Sequence, residues 1–351
     1  MESVTIGFII SGLLVGALFG FVLQRGRFCM NSAFRDTIFI QDYTMFHAYL
    51  IALIIMIVGS NILNDMEIIH LKAQSFYPLA NILGGYIFGL GIVLAGGCGS
   101  GIVYRMGEGQ LASWFAVFGF FLGIGATTNG VLRPVYDLMR SVMVGEPGMT
   151  LHGLLGGTPT IKWSVIIVLC AVLFAFTLKS RPFAIKKQKG FYWSVTAILV
   201  GVLGVVTFWA SEFWGSPGFA RGLNFTTPTG EVFFTILTGD AHSKFFPMYA
   251  LGPYQVTWAG FYIVGVPLGA YVSAKILKEF TWKSPSASEL LTVLGGSIMM
   301  GFGAATAGGC NVGQALTGAS TLSVGSILAT IAIILGNWTM VYFKFIKPMN
   351  E

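Results

Sequence analysis

The sequence predicts an all-α, polytopic membrane protein of about nine transmembrane helices, with re-entrant half-helices and a pseudo-twofold inverted repeat. Three observations carry that expectation: an apolar composition, long runs without charge, and a Gly-Gly-Cys signature that occurs twice. Of 351 residues, 55% are hydrophobic and only 10% charged, and the mean hydropathy is +0.77. A chain so apolar would be insoluble as a globule and is suited to lipid.

The uncharged runs give the elements in order. Ser3–Gln24 comes first, preceded by an acid and no basic n-region, which argues against a cleaved signal peptide. Tyr43–Asn64, Ser75–Tyr104 and Gln110–Leu132 follow, then a shorter run at Trp163–Leu178, then Phe191–Ser211 and Phe245–Ala274. A crossing takes roughly 20 apolar residues, so each run is read as one span. The last run, Leu290–Phe343, holds 54 residues without Asp, Glu, Lys or Arg, whereas two crossings use only about 40. The surplus sits around AGGCNVGQALTG (307–318), where each glycine costs a helix about 1 kcal/mol relative to Ala. Unpaired backbone cannot face lipid, so this segment must line a protein-enclosed cavity. A broken or re-entrant helix is expected there, with its glycine turn near mid-membrane.

Basic residues set the orientation. With the amino terminus outside, 14 of the 20 fall on the inner side: Arg25, Arg27, Arg35, Arg105, the five in LKSRPFAIKKQK (178–189), and the lysines at 275, 278, 283, 344 and 347. The positive-inside rule therefore places the carboxyl terminus in the cytoplasm. The net charge of +6 is this topological signature, and no nucleic-acid partner is expected.

The Ser75–Tyr104 run carries the same punctuation as the last one. Aligning GGYIFGLGIVLAGGCGSG (84–101) on GGSIMMGFGAATAGGCNVG (295–313) with one gap matches Gly84, Gly85, Gly89, Gly91, Ala95, Gly96, Gly97, Cys98 and Gly101 among others. The charge-derived topology runs the two copies in opposite directions. Residues 1–180 then form a first membrane repeat with an extra helix, and 181–351 a second, inverted one, within a single integral membrane domain. Inverted repeats with broken helices meeting near the midplane are a transporter architecture. Close helix packing accounts for Gly84, Gly85, Gly295 and Gly296; it does not require a thiol at the same place in both copies.

Four cysteines sort by context. Cys29 follows the first span in a short polar segment, Cys98 and Cys310 are the repeat pair, and Cys170 sits among aliphatic residues as a small buried hydrophobe. No CxxC spacing is present, so neither a thioredoxin-like exchange pair nor a zinc ligand set is expected. No cofactor or metal is implied.

The combination GRFCMNSAFRD (26–36) after a Gly-rich first helix, with GGC-x-x-G in both halves, resembles the YeeE/YedE family of bacterial membrane proteins over essentially the whole chain. That resemblance implies a thiosulfate importer of the bacterial inner membrane, in which thiols along a central path contact the substrate. The family's functional cysteines map onto Cys29, Cys98 and Cys310. It also implies a small cytoplasmic sulfur-carrier or thiosulfurtransferase partner, for which the basic loop Lys179–Lys189 is a docking site. Where a counterpart of Cys29 belongs, the second half has SPGFARGLNF (216–225) without a cysteine, and Ala220 is the expected substitute.

The chemistry agrees. Thiosulfate has one soft terminal sulfur and three hard oxygens, and a strongly cationic pocket would hold it too tightly to release it. Thiols are weak donors, and conduction needs several weak sites. Backbone N–H groups at half-helix starts and at Gly96, Gly97, Gly99, Gly308 and Gly309 balance the negative charge. Arg27 is expected to gather the anion at the inner exit, with Arg25 and Arg35 beside it; Arg105 and Asn311 are expected to support the two turns. Arg221 and Lys244 are candidates for drawing anions inward, and His47 reads as a satisfied polar side chain. Three alternatives stand beside thiosulfate import: carriage of another sulfur or selenium species, a thiol- or persulfide-transfer enzyme, and a passive anion channel. The enzyme normally needs a vicinal or CxxC pair, which is absent.

Overall fold

A computed structural model describes residues 2–178, 190–243 and 246–351. The basic loop Lys179–Lys189, and Lys244, lie outside the described residues. Among these residues, nine segments are long and apolar enough to cross a bilayer, matching the expected number and order. The first combines α1 (Glu2–Gly26) and α2 (Met30–Phe39), with a break between them where Arg27 adopts φ 51. Then come α3 (Thr44–Asp65), a π-helical turn Ala80–Gly84 leading into α4 (Gly85–Leu94), α5 (Gly99–Gly107) and α6 (Leu111–Thr128). Short helices α7 (Arg133–Met139) and α8 (Leu151–Leu154) precede the long α9 (Pro159–Leu178). The second half has α10 (Trp193–Ala210) with a π turn Ser211–Gly215, α11 (Thr227–Thr238), α12 (Trp258–Ile276), α13 (Ala287–Ala307), a π-helical segment Val312–Gly318, α14 (Val324–Val341) and the short α15 (Lys347–Asn350).

The run expected to span Phe245–Ala274 becomes helix only at Trp258. Ahead of it, β1 (Tyr249–Leu251) and β2 (Tyr254–Val256) pair antiparallel, with Tyr249 opposite Val256. The Thr257 hydroxyl then accepts the Gly260 N–H at 3.2 Å and starts α12. Ser and Thr caps of this kind satisfy one of the four orphan N–H groups at a helix start.

The two halves pack alike. α1 lies on α12 as α10 lies on α3; α6 lies on α13 as α14 lies on α4; α1 meets α10, and α4 meets α13, each across its own counterpart. At the α4–α13 crossing the correspondence reaches single residues. A side chain at Gly91 would strike Met300 and Gly296, and one at Gly303 would strike Phe88 and Gly84. Glycine at these points lets the two backbones touch, as small residues do in membrane bundles. Gly84 is therefore matched in packing by Gly296, whereas the sequence alignment paired it with Gly295, which faces open space. α9 has no counterpart. Little of it is buried in the bundle, and it is tied to α3 by Lys162 Nζ to Asp65 Oδ1 at 2.5 Å and Trp163 Nε1 to Asp65 Oδ2 at 2.9 Å.

The bundle has two ends. The first face, where α1 begins, carries the loops around residues 66–79, 129–158 and 216–257. The second face carries 105–110 and 277–286.

Candidate functional site

Both Gly-Gly-Cys segments are re-entrant. After α4 the chain turns at Gly96, whose φ of +72 is in the left-handed region that glycine tolerates, and after α13 it turns at Gly308, φ +87. Gly96 is exposed, while Cys98, two residues on, is fully buried. From Cys98 the chain becomes helical again as α5 and returns to the face it came from, because Arg105 near the end of α5 reaches back to Gly96 at 2.8 Å. In the second copy Gln74 binds both the Gly308 carbonyl, at 3.4 Å, and Ser323 beyond the π segment, at 3.0 Å. Both ends of that segment therefore lie at the first face. The glycine turn expected at mid-membrane sits nearer the surface in each copy, and the cysteine is the part that reaches the interior.

Each of the three thiols opens a helix. The Cys29 carbonyl accepts the Ala33 N–H at 3.0 Å, Cys98 that of Ile102 at 2.9 Å, and Cys310 that of Gln314 at 2.7 Å. The Gly313 N–H also points at the Cys310 sulfur, 3.5 Å away. All three residues are at most 1% exposed. The segment holding Cys29, expected as a polar stretch between spans, is instead a buried break between α1 and α2.

These starts converge. The Cys29 and Cys98 sulfurs are 3.6 Å apart, and Ser100 Oγ is 3.3 Å from Cys98. A side chain at Gly101 would come within 2.8 Å of the Cys29 sulfur and 3.4 Å of the Cys98 sulfur. A side chain at Gly99 would meet Phe225 at 3.2 Å and the Cys310 sulfur at 3.7 Å. The first turn of α5 thus has one thiol pair on one side and Cys310 on the other. Cys170 stands apart, half-buried on α9.

The other expected site residues divide. Arg105 supports the first turn, through the Gly96 carbonyl and beside Gly97. Asn311 is buried next to Cys310; its Oδ1 accepts the Val312 N–H at 3.1 Å, and its Nδ2 has no partner among the described residues. Gly309 lies against Gln314, whose amide bonds the Ala307 carbonyl at 2.6 Å. Arg27 is clamped between two carboxylates, Glu108 Oε1 at 2.6 Å and Glu279 Oε2 at 2.5 Å, and closes the second-face end beneath Cys29. Arg221 is engaged by both oxygens of buried Glu231 at 3.0 Å, so its charge is spent within the fold. His47 is buried against the rings of Tyr43 and Phe176.

Several contributors carry no motif. Arg140 donates to the Thr306 carbonyl at 3.2 Å beside Gly308, as Arg105 does beside Gly97. With Arg133 it lines a cavity of about 420 Å³ whose wall includes Gly308, Thr226, Glu231 and His242. Glu108 and Glu279 are separated by a long stretch of sequence, and only folding makes them the partners of Arg27. Among the described residues no His, Cys, Asp or Glu cluster could hold a metal ion.

Residues 25–339 match the family described as sulphur transport. The chain belongs to that family. Its relatives in the sulphur transport family include the thiosulfate transporter TsuA of Spirochaeta thermophila, 35% identical over 347 residues, covering 95% of this chain and 98% of the relative. The thiosulfate transporter TsuA of Escherichia coli is 31% identical over 354 residues, covering 98% and 96%. The three buried thiols and both Gly-Gly-Cys segments lie within the matched residues.

Proposed function

We propose that this chain imports thiosulfate through the bilayer, by way of Cys310 and then the Cys98–Cys29 pair. The observation that carries the reading is the meeting of three thiols, from widely separated parts of the chain, at half-helix starts around one turn of α5. Helix N-termini present unsatisfied N–H groups and a fixed partial positive charge, which suit a dianion without a buried lysine or arginine. Thiols accept the soft sulfur through weak contacts that permit release. Relatives of nearly full-length similarity are named for thiosulfate transport.

In this reading the first face is external and the second cytoplasmic, in a bacterial inner membrane. The chain divides at about residue 180 into two inverted repeats, the first including the extra α9. The Arg133–Arg140 cavity is the outer mouth, and the Arg27 clamp is the inner exit. A small cytoplasmic sulfur carrier receives the product at the inner face. Uptake of radiolabelled thiosulfate into proteoliposomes, with sulfate and sulfide as competitors, tests the reading: thiosulfate is expected to accumulate and sulfate to compete poorly.

One observation favours a second reading. Cys29 and Cys98, without any CxxC spacing, come within 3.6 Å of each other, so an exchange pair exists in space. A thiol that attacked the outer sulfur of thiosulfate would form a persulfide and release sulfite, RSH + S2O3(2−) → RSSH + SO3(2−), the S–S bond of the substrate breaking as the new one forms. Mass measurement of the protein after exposure to thiosulfate separates the two: import by weak contacts leaves the thiols unmodified.

A further inference from the structure

The second half has a counterpart to Cys29, and it is not Ala220. α2 packs on α3 and α14, and α11 packs in the same way on α12 and α6. The residue that opens α2 is Cys29, preceded by the fully buried Phe28; the residue that opens α11 is Thr226, preceded by the fully buried Phe225. Cys29 takes the Ala33 N–H at its carbonyl at 3.0 Å, and Thr226 takes that of Gly230 at the same distance. Ala220 lies in the loop before, its N–H bonded to the His70 carbonyl.

Thr226 is 4% exposed, and its hydroxyl makes no hydrogen bond among the described residues. The group lies beside the Cys310 thiol, close enough to interact with it, although no aligned hydrogen bond joins the two. A buried hydroxyl normally finds a partner, because leaving it unmade costs about 1–3 kcal/mol. Two further polar groups around Cys310 are also buried and unpartnered, Asn311 Nδ2 and the Tyr262 hydroxyl. The Arg133–Arg140 cavity reaches Thr226 and Gly308.

We infer that the Thr226 hydroxyl is a fourth substrate contact, which holds an oxygen of the anion while the Cys310 thiol meets its terminal sulfur. The inference rests on the transport path proposed above and adds a specificity device to it. A hydroxyl beside a thiol matches an ion with a hard end and a soft end. Thiosulfate satisfies both groups at once, whereas sulfate has no soft end for Cys310. At the deeper pair both side chains are thiols, so discrimination belongs to the outer pair, where the ion arrives from the cavity.

The test is thiosulfate uptake by proteoliposomes carrying Thr226→Val, Thr226→Ser and, in parallel, Cys310→Ala. Thr226→Val keeps the shape and removes the hydroxyl; it is expected to raise KM about tenfold with maximal rate changed less than twofold, and to lower the preference for thiosulfate over sulfate. Thr226→Ser is expected to stay within about twofold of the parent. Should Thr226→Val insert poorly, thiosulfate-induced thermal stabilisation of the purified Thr226→Ser and Thr226→Ala proteins replaces it, with the shift retained in Ser and lost in Ala. An unchanged KM in Thr226→Val, or a Ser variant as impaired as Val, overturns the assignment. If Cys310→Ala is then still defective, the thiol path stands without Thr226; if Cys310→Ala is also normal, the path itself falls with it.

Discussion

The side chains that matter most are small and weakly polar, and their placement gives each a separate expectation. Cys29 and Cys98, at 3.6 Å, are within a modest side-chain adjustment of a disulfide, whose S–S bond is about 2.05 Å. Mild oxidation of the protein in membranes is expected to link these two, to stop uptake, and to be reversed by reductant. Peptide mapping that shows Cys310 in the link instead would contradict the geometry. Cys170 touches none of the other thiols, so Cys170→Ala should keep most uptake and cost at most about 1 kcal/mol of stability. The value of the cysteines was legible in the sequence because two of them sit in a repeated motif. The role of Thr226 was not, because a hydroxyl at a helix start is common and only its buried, unpartnered state distinguishes it.

At the scale of elements, the glycine turns and the charged clamp hold the half-helices in place inside the bundle. Arg105 holds the Gly96 carbonyl, a charge-assisted bond of the kind worth about 1.5–3 kcal/mol, so Arg105→Ala should loosen α5 and reduce uptake more than expression. Arg27 neutralises Glu108, which is nearly fully buried, across α1, α5 and the segment after α12. Burial holds the Glu108 carboxyl above its ordinary range, and Arg27 offsets only part of that shift. Arg27→Ala is therefore expected to destabilise the protein by roughly 1–3 kcal/mol, less than for a fully buried pair because the arginine is partly exposed. The loss should deepen as pH rises and the carboxyl ionises, and shrink at low pH where it is protonated in folded and unfolded chains alike. Adding Glu108→Gln should restore stability, read as a melting temperature across pH. A penalty independent of pH, or no rescue, would show that the clamp is not what Arg27 supplies. The sequence marked Arg27 as basic and near a cysteine; its two carboxylates lie so far along the chain that only the inverted packing reveals them.

For the whole molecule, the number and order of the spans were readable from uncharged runs alone, and so was the re-entrant character of Leu290–Phe343, from its surplus length. The depth of the turns was not, because residue spacing does not say how far an extended segment doubles back, and the hairpin before Trp258 was hidden by side chains as apolar as a span. The nine candidate spans among the described residues would put Gly145 and Glu351 on opposite sides, and both are exposed. A reporter inserted at Gly145 should be external and one fused after Glu351 cytoplasmic; both on one side would break the inverted arrangement. The central claim is that thiosulfate passes the three buried thiols, and its most direct test is radiolabelled thiosulfate uptake by proteoliposomes of Cys29→Ala, Cys98→Ala and Cys310→Ala at matched insertion. Each variant is expected to lose most uptake, with serine at the same position recovering part of it through its hydroxyl donor. Normal transport by all three alanine variants would contradict the claim and leave the doubled Gly-Gly-Cys as helix packing alone.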